Sequence, residues 1–452
     1  MTQTEGGAAP EPVDSPQVTV ATEFESDAAP VPEAVLATAP EVLANSLAEY
    51  ARLWLRRVRG GESGALPVVV GLIVLVAYFR LRSPVFLSAG NLVNLITQAA
   101  FLVTFGMSEV FVLLLGEIDL SVGYNAALGG VITLWLLSVS HPLPLWLAVP
   151  AGLAFSGAYA GVQAVIITRL RLPSFVVTLA GYLGGLGLLL FLLNAAAPGS
   201  GGTIRVTNNI LYDIDNPGTG GSLSPVVGWI VMAAAVALAA AFMIIRDTRR
   251  RANSLAAPPA SVTILKIVLM AAVGVVVVLI GNANRGSALV VLRGVPWVVV
   301  VVLVLLVAWT VLLGRTRFGR YVYAIGGNAE AARRAGINLS RIRVTAFVLT
   351  GLTAGITGII YASSLGSMSN NFNGGQYVLY AVAAAVIGGT SLFGGRGRML
   401  GAVLGGLVVA VIYNGLLLLG LGAAAQNMWT AGVLLAAVTV DAVARRGSTT
   451  PA

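Results

Sequence analysis

Residues 295–313 read V-P-W-V-V-V-V-V-L-V-L-L-V-A-W-T-V-L-L. These 19 residues contain no charge, and an α-helix needs ~20 apolar residues to cross a hydrocarbon core about 30 Å thick. The run lacks the alternation of polar and apolar residues that marks a barrel strand, so it reads as a membrane helix. Working outward from it, eleven further apolar segments lie at 66–80, 91–115, 121–139, 144–168, 173–196, 225–245, 263–281, 343–364, 376–394, 400–420 and 427–444. The predicted fold is therefore all-α, a polytopic transmembrane helix bundle of about 12 spans, with 10 to 12 compatible with the pattern.

Composition agrees. The chain has 452 residues, of which 57% are hydrophobic and 10% charged, whereas soluble domains carry about 25% charged residues. The 54 glycines would weaken helices in water, but between membrane helices small residues allow backbones to approach closely. There is no cysteine, which excludes disulfides and thiolate chemistry. The single histidine, His141 in S-H-P-L-P, reads as a loop residue near the membrane surface. No catalytic residue, metal site or cofactor is expected.

The net charge of +9 is unevenly placed. Residues 1–51 hold nine acidic residues and no Lys, leaving 27 basic against nine acidic residues in the whole of the chain that begins at Arg52. With the N-terminus in the cytoplasm, the cytoplasmic connections collect 21 arginines and the outer ones five: Arg80, Arg82, Arg205, Arg285 and Arg293. That is the asymmetry of the positive-inside rule, and it places both termini in the cytoplasm. Membrane orientation thus accounts for the basic excess, and nucleic acid is not an expected partner.

The expected domain plan follows. Residues 1–45, rich in Ala, Pro and Glu, form a disordered acidic tail, and 46–64 form an amphipathic surface helix. The transmembrane domain covers 65–445, with a cytoplasmic loop at 314–342, and 446–452 are a C-terminal tail.

The loop at 314–342 carries a short helix with clear ends. Asn328 suits an N-cap, Glu330 sits in the first turn, and Gly336 follows the last turn. Glu330 is spaced i,i+3 and i,i+4 from Arg333 and Arg334. A helix this short needs a surface to dock on, either its own domain or a partner.

Two further stretches carry polar residues near hydrocarbon. G-E-I-D-L-S-V-G, residues 116–123, sets Glu117, Asp119 and Ser121 between two spans, and Glu109 lies inside the preceding span. Such carboxylates either cap helices or face a translocation path. In 386–398, V-I-G-G-T-S-L-F-G-G-R-G-R, paired glycines can break a span and leave Thr390 and Ser391 to serve the freed backbone. No G-x-x-x-x-G-K-[ST] occurs, and the only lysine, Lys266, lies in T-I-L-K-I, so the chain has no P-loop for nucleotide.

At these segments the sequence resembles the permease subunits of bacterial ATP-binding-cassette (ABC) importers for monosaccharides, the ribose and xylose branch. Four stretches carry the likeness in order: G-E-I-D-L-S-V-G, R-L-P-S-F-V-V-T-L-A-G, the run R-T-R-F-G-R-Y-V-Y-A-I-G-G-N-A-E-A-A-R-R-A-G-I-N, and V-I-G-G-T-S-L-F-G-G-R-G-R. The extra pair of spans around 225–281 and R-G-V-P at 293–296 look most like the xylose permease type. The resemblance implies a homodimeric permease in the plasma membrane, a cytoplasmic ATPase partner, an external sugar-binding protein, and residues 328–336 as the helix that docks on the ATPase. Two departures stand out. Val378, Leu379 and Tyr380 occupy positions where the family usually has E-L-D, and Glu109 stands where an apolar residue is expected. A different class of reading is an ion-coupled secondary transporter that uses Glu109, Glu117 and Asp119 as a proton relay.

Overall fold

The computed structural model describes residues 66–432 apart from 139–141, 219, 254, 256, 287–289 and 423, together with 46, 49–53, 435 and 439. The predicted tails, His141 and most of the predicted surface helix lie outside the described residues, although 49–53 are helical.

The chain runs α1 (Leu66–Arg82), α2 (Ala89–Leu113), α3 (Val122–Leu137), α4 (Leu145–Leu170), α5 (Ser174–Ala196), β1 (Thr203–Arg205), α6 (Asn209–Asp213), α7 (Pro225–Ala252), α8 (Ala260–Asn282) and α9 (Trp297–Arg315). It continues with α10 (Arg317–Gly327), α11 (Ala329–Arg334), α12 (Leu339–Leu365), β2 (Ser367–Ser369), α13 (Gly374–Ile387) and α14 (Met399–Leu418). Residues 424–432 are also helical. Eight of these helices, α2, α4, α5, α7, α8, α9, α12 and α14, are long and apolar enough to span a membrane. The fold is a polytopic helical bundle, as the hydropathy pattern predicts.

One predicted segment is shortened. The apolar run 376–394 is helical only to Ile387, because Gly389 and Gly394 take positive φ values of 87° and 84° and turn the chain out of the helix.

α2 is the hub. An 18-residue stretch of it is 89% buried, against 6% for α7, and it packs against α12, α13 and α14, while α12 also packs on α3 and α4. α7 and α8 pair with each other at the periphery. Their exposed Leu238, Val273 and Ile230 suit hydrocarbon, which takes up apolar side chains that water would not.

Side-chain and backbone contacts sort the connections into two ends. At one end, Gly395 N donates to Leu114 O at 2.9 Å, the Tyr323 hydroxyl donates to Gly397 O at 2.8 Å, and Arg343 Nε lies 3.1 Å from Glu117 Oε1. Arg315 stacks 4.5 Å over the ring of Phe242 and brings the end of α7 to the same side. At the other end, β1 and β2 pair antiparallel with Ile204 opposite Met368. There Thr207 Oγ1 donates to Leu137 O at 3.1 Å, and Trp297 N donates to Gly221 O at 3.0 Å. The first end holds the arginine-rich connections, so the charge rule assigns it to the cytoplasm.

Candidate functional site

On the cytoplasmic end, the short helix predicted at 328–336 is α11. Asn328 Oδ1 accepts from Ala331 N at 2.9 Å and so caps it. At the other end Gly336 has φ 82°, Ile337 N donates to Ala332 O at 3.1 Å, and Gly336 N donates to Arg333 O at 3.0 Å. That pair of bonds is a Schellman stop, which requires the left-handed residue that glycine supplies without a Cβ penalty.

Glu330 binds both arginines. Arg333 Nη2 and Nε donate to Glu330 Oε1 and Oε2 at 2.8 and 3.0 Å, and Arg334 Nε donates to Oε1 at 3.2 Å. These bonds hold the Glu330 carboxyl below its usual range. All three side chains are at least half exposed. Exposed pairs add little stability, so the charges brace a two-turn helix whose outer face is open. Its apolar side, through Ala332, is anchored in the bundle.

The carboxylates of 109–121 form a second, buried group. Asp119 N donates to Glu109 Oε1 at 3.1 Å. Asp119 Oδ1 accepts from Ser121 N at 2.8 Å and from Ser121 Oγ at 2.6 Å. Gln163 Nε2 of α4 donates to Ser121 Oγ at 3.0 Å. Glu109, Asp119 and Ser121 are fully buried, and Glu109 Oε2, Asp119 Oδ2 and Gln163 Oε1 have no hydrogen-bond partner.

Ser121 precedes α3 but makes no side-chain cap bond, because its hydroxyl is committed to Asp119. Asp119 instead holds the turn that enters α3. Glu117 stands apart from this group, near the surface, in its ion pair with Arg343. The sequence reading missed Gln163 and Arg343; Gln163 was legible as the lone amide within the apolar run of α4.

Thr390 and Ser391 lie in the turn after α13 on the cytoplasmic end. Ser391 Oγ accepts from Phe393 N at 3.1 Å and Ser391 N donates to Arg396 O at 2.8 Å, while Thr390 Oγ1 is buried without a partner. Ser391 thus serves the local turn, whose Gly395 is bonded to the end of α2, and the Thr390 hydroxyl does not. The six polar residues singled out in sequence are thus divided among a buried turn (Glu109, Asp119, Ser121), a partly buried ion pair (Glu117) and a neighbouring loop (Thr390, Ser391).

A bundle of apolar spans, with an arginine-rich end that presents one short, charged, exposed helix, defines a polytopic membrane protein. The chain belongs to the family described as "Branched-chain amino acid transport system / permease component", which matches residues 91–442. It is 33% identical over 378 residues to the xylose transport system permease protein XylH of Haemophilus influenzae, covering 83% of this chain and 95% of that protein. It is 34% identical over 385 residues to XylH of Escherichia coli K12, covering 84% and 92%. The ribose import permease protein RbsC of Escherichia coli K12 is 30% identical over 374 residues, covering 82% and 92%. No solved structure matches the chain. It is a multi-pass protein of the plasma membrane.

Proposed function

We propose that the chain is the permease subunit of an ABC importer for a monosaccharide, with a xylose-like pentose as the substrate. Two copies form the translocation unit. A separate cytoplasmic ATPase supplies the energy, an external sugar-binding protein delivers the solute, and the spans alternate access between the two sides. The permease itself makes no covalent change and uses no cofactor. The observation that carries this reading is the match to xylose and ribose permeases over more than four fifths of the chain.

Within this reading α11 is the coupling element, with Asn328, Glu330, Arg333, Arg334 and Gly336 shaping it. Its open charged face supports that role, because Ala332 anchors one side of the helix in the bundle and leaves the Glu330, Arg333 and Arg334 side chains exposed on the other. The secondary-transporter reading is not favoured, since family and relatives are transport-system permeases. The test is reconstitution in liposomes. Uptake of a pentose is expected only with the cognate ATPase, the binding protein and ATP present; uptake by the permease alone under a proton gradient would refute the reading.

A further inference from the structure

α3 and α13, at 16 and 14 residues, are shorter than the ~20 residues a crossing takes. Both begin inside the bundle. The first turn of α3 packs at the middle of two full spans: Asn125 Nδ2 donates to Ser156 O of α4 at 3.1 Å, and a Cβ placed on Gly185 of α5 would lie 3.0 Å from Tyr124 Cβ. α13 begins at the same level, because a Cβ on Gly123 would fall 2.1 Å from the Gly374 carbonyl oxygen. The chain reaches this point from β2 through N-N-F-N, residues 370–373.

Aromatic rings gather at the junction. Tyr124 and Tyr182 lie 4.8 Å apart between centroids, Phe372 lies 5.0 Å from both Tyr361 and Tyr377, and Tyr124 to Phe372, at 6.2 Å, joins the two groups. Amides accompany them. Asn373 is exposed and its Oδ1 accepts from Gln376 N at 3.2 Å, while Gln376 Nε2 donates to the Tyr380 hydroxyl at 2.6 Å. An exposed amide at mid-bilayer depth is costly in hydrocarbon, so the side that Asn373 faces is wet.

Residues 366–382 contain no Asp, Glu, Lys or Arg. A zwitterionic amino acid leaving water would need charged partners for both its groups; the α13 side of the junction provides none, and the carboxylates nearest the α3 side, Glu109 and Asp119, are fully buried in the turn before it and offer no cation. A neutral polyhydroxylated ring fits instead: its C–H faces lie against aromatic rings, and its hydroxyls exchange hydrogen bonds with amides and phenols. Short helices that start within the membrane frame the solute sites of other transporter folds as well.

From this geometry we infer that the junction of α3 and α13 is the mid-membrane binding site for the transported solute, and that it selects an uncharged sugar-like ring. The inference rests on the transport reading above. It adds residues to that reading and identifies Tyr380, one of the departures from the family pattern, as part of the amide and phenol network.

The cysteine-free chain permits a direct test. Single-cysteine variants Asn373→Cys and Gln376→Cys, with Val273→Cys on the exposed face of α8 as control, are reconstituted with ATPase and binding protein and treated with a water-soluble, membrane-impermeant thiol reagent. The expected result is modification of the first two at least about tenfold faster than the control, a difference of ~1.4 kcal/mol in barrier. D-xylose with ATP should slow it and L-leucine should not. Reactivity equal to the control, or protection by leucine and not by the sugar, would overturn the inference. In parallel, Tyr377→Leu should lower uptake about tenfold and Tyr377→Phe should restore most of it; equal uptake in all three forms also overturns it. If uptake is ATP-dependent yet the cysteines are unreactive, the site fails alone. If no sugar is transported under ATP, the transport reading fails, and the modification rates still decide whether the junction is wet.

Discussion

The coupling segment at 328–336 and the junction at 122–124 and 372–377 are both built from small and polar residues, but they are stabilised by opposite means. α11 is exposed, braced by charges within four residues of each other, and ended by a glycine that must take positive φ. The junction pairs buried Gly123 and Gly374 with exposed Asn373, its residues 122–124 and 372–377 carry no charge, and it depends on two backbones meeting where a single methyl group would collide. The first is a local structure that offers a face to something else. The second is a tertiary structure in which residues 251 positions apart touch. Substitutions at the first should therefore disturb signalling without unfolding the protein, and substitutions at the packed glycines of the second, Gly123 and Gly374, should disturb the fold.

The largest expected effect tests the first half of that contrast. Gly336→Pro cannot adopt φ 82° and removes the N–H that bonds Arg333 O, and Glu330→Arg replaces the residue that binds both arginines. Each should abolish solute-stimulated ATP hydrolysis in the reconstituted system, with membrane insertion and thermal unfolding unchanged. Normal stimulation in either variant would show that coupling lies elsewhere.

The second half is tested by Gly123→Val. Its Cβ would lie 2.1 Å from the Gly374 oxygen, so the two helix starts must separate. Overpacking of this kind costs about 3 kcal/mol, seen as a lowered unfolding temperature in detergent. Ala substitution at Asp119 should cost about 2 kcal/mol, because Ser121 N and Oγ lose their acceptor inside the bundle. If Asp119→Ala left stability unchanged but stopped transport, the buried turn would have a role in the path and not in the fold.

The smallest effect concerns the outer connection. Asp215 is buried beside the end of α12, where its N–H donates to Ser363 Oγ at 2.9 Å. Burial pushes its carboxyl well above the usual range, with Ser364 opposing that shift. A carboxyl whose folded pKa is raised takes up a proton more readily in the folded state, so stability is greatest below the unfolded pKa of ~3.9 and falls as pH rises toward the folded value. Asp215→Asn should therefore raise the unfolding temperature by a few degrees at neutral pH, with the gain disappearing near pH 4. A gain of equal size at both pH values would mean that charge burial is not its origin. Glu330 runs in the opposite sense: its lowered pKa gives a contribution present above the unfolded value of ~4.3 and lost as pH falls through the folded one.

The sequence by itself determined membrane insertion, the approximate positions of the spans, their orientation and the shape of α11. Each of these depends on short-range chemistry: unbroken apolar runs against a hydrocarbon thickness, arginines counted by connection, and a cap, a charge pair and a glycine within nine residues. The lone amide of Gln163 and the aromatics of 372–380 were equally visible in sequence, yet nothing local said what they touch. Only the tertiary structure decided that Gln163 reaches Ser121, that Glu117 pairs with Arg343, that Glu109 holds the turn at Asp119, and that α13 begins against the start of α3. Those contacts join residues 10 to 251 positions apart, and their partners are set by how the spans pack around α2, a long-range arrangement that hydropathy and periodicity do not encode.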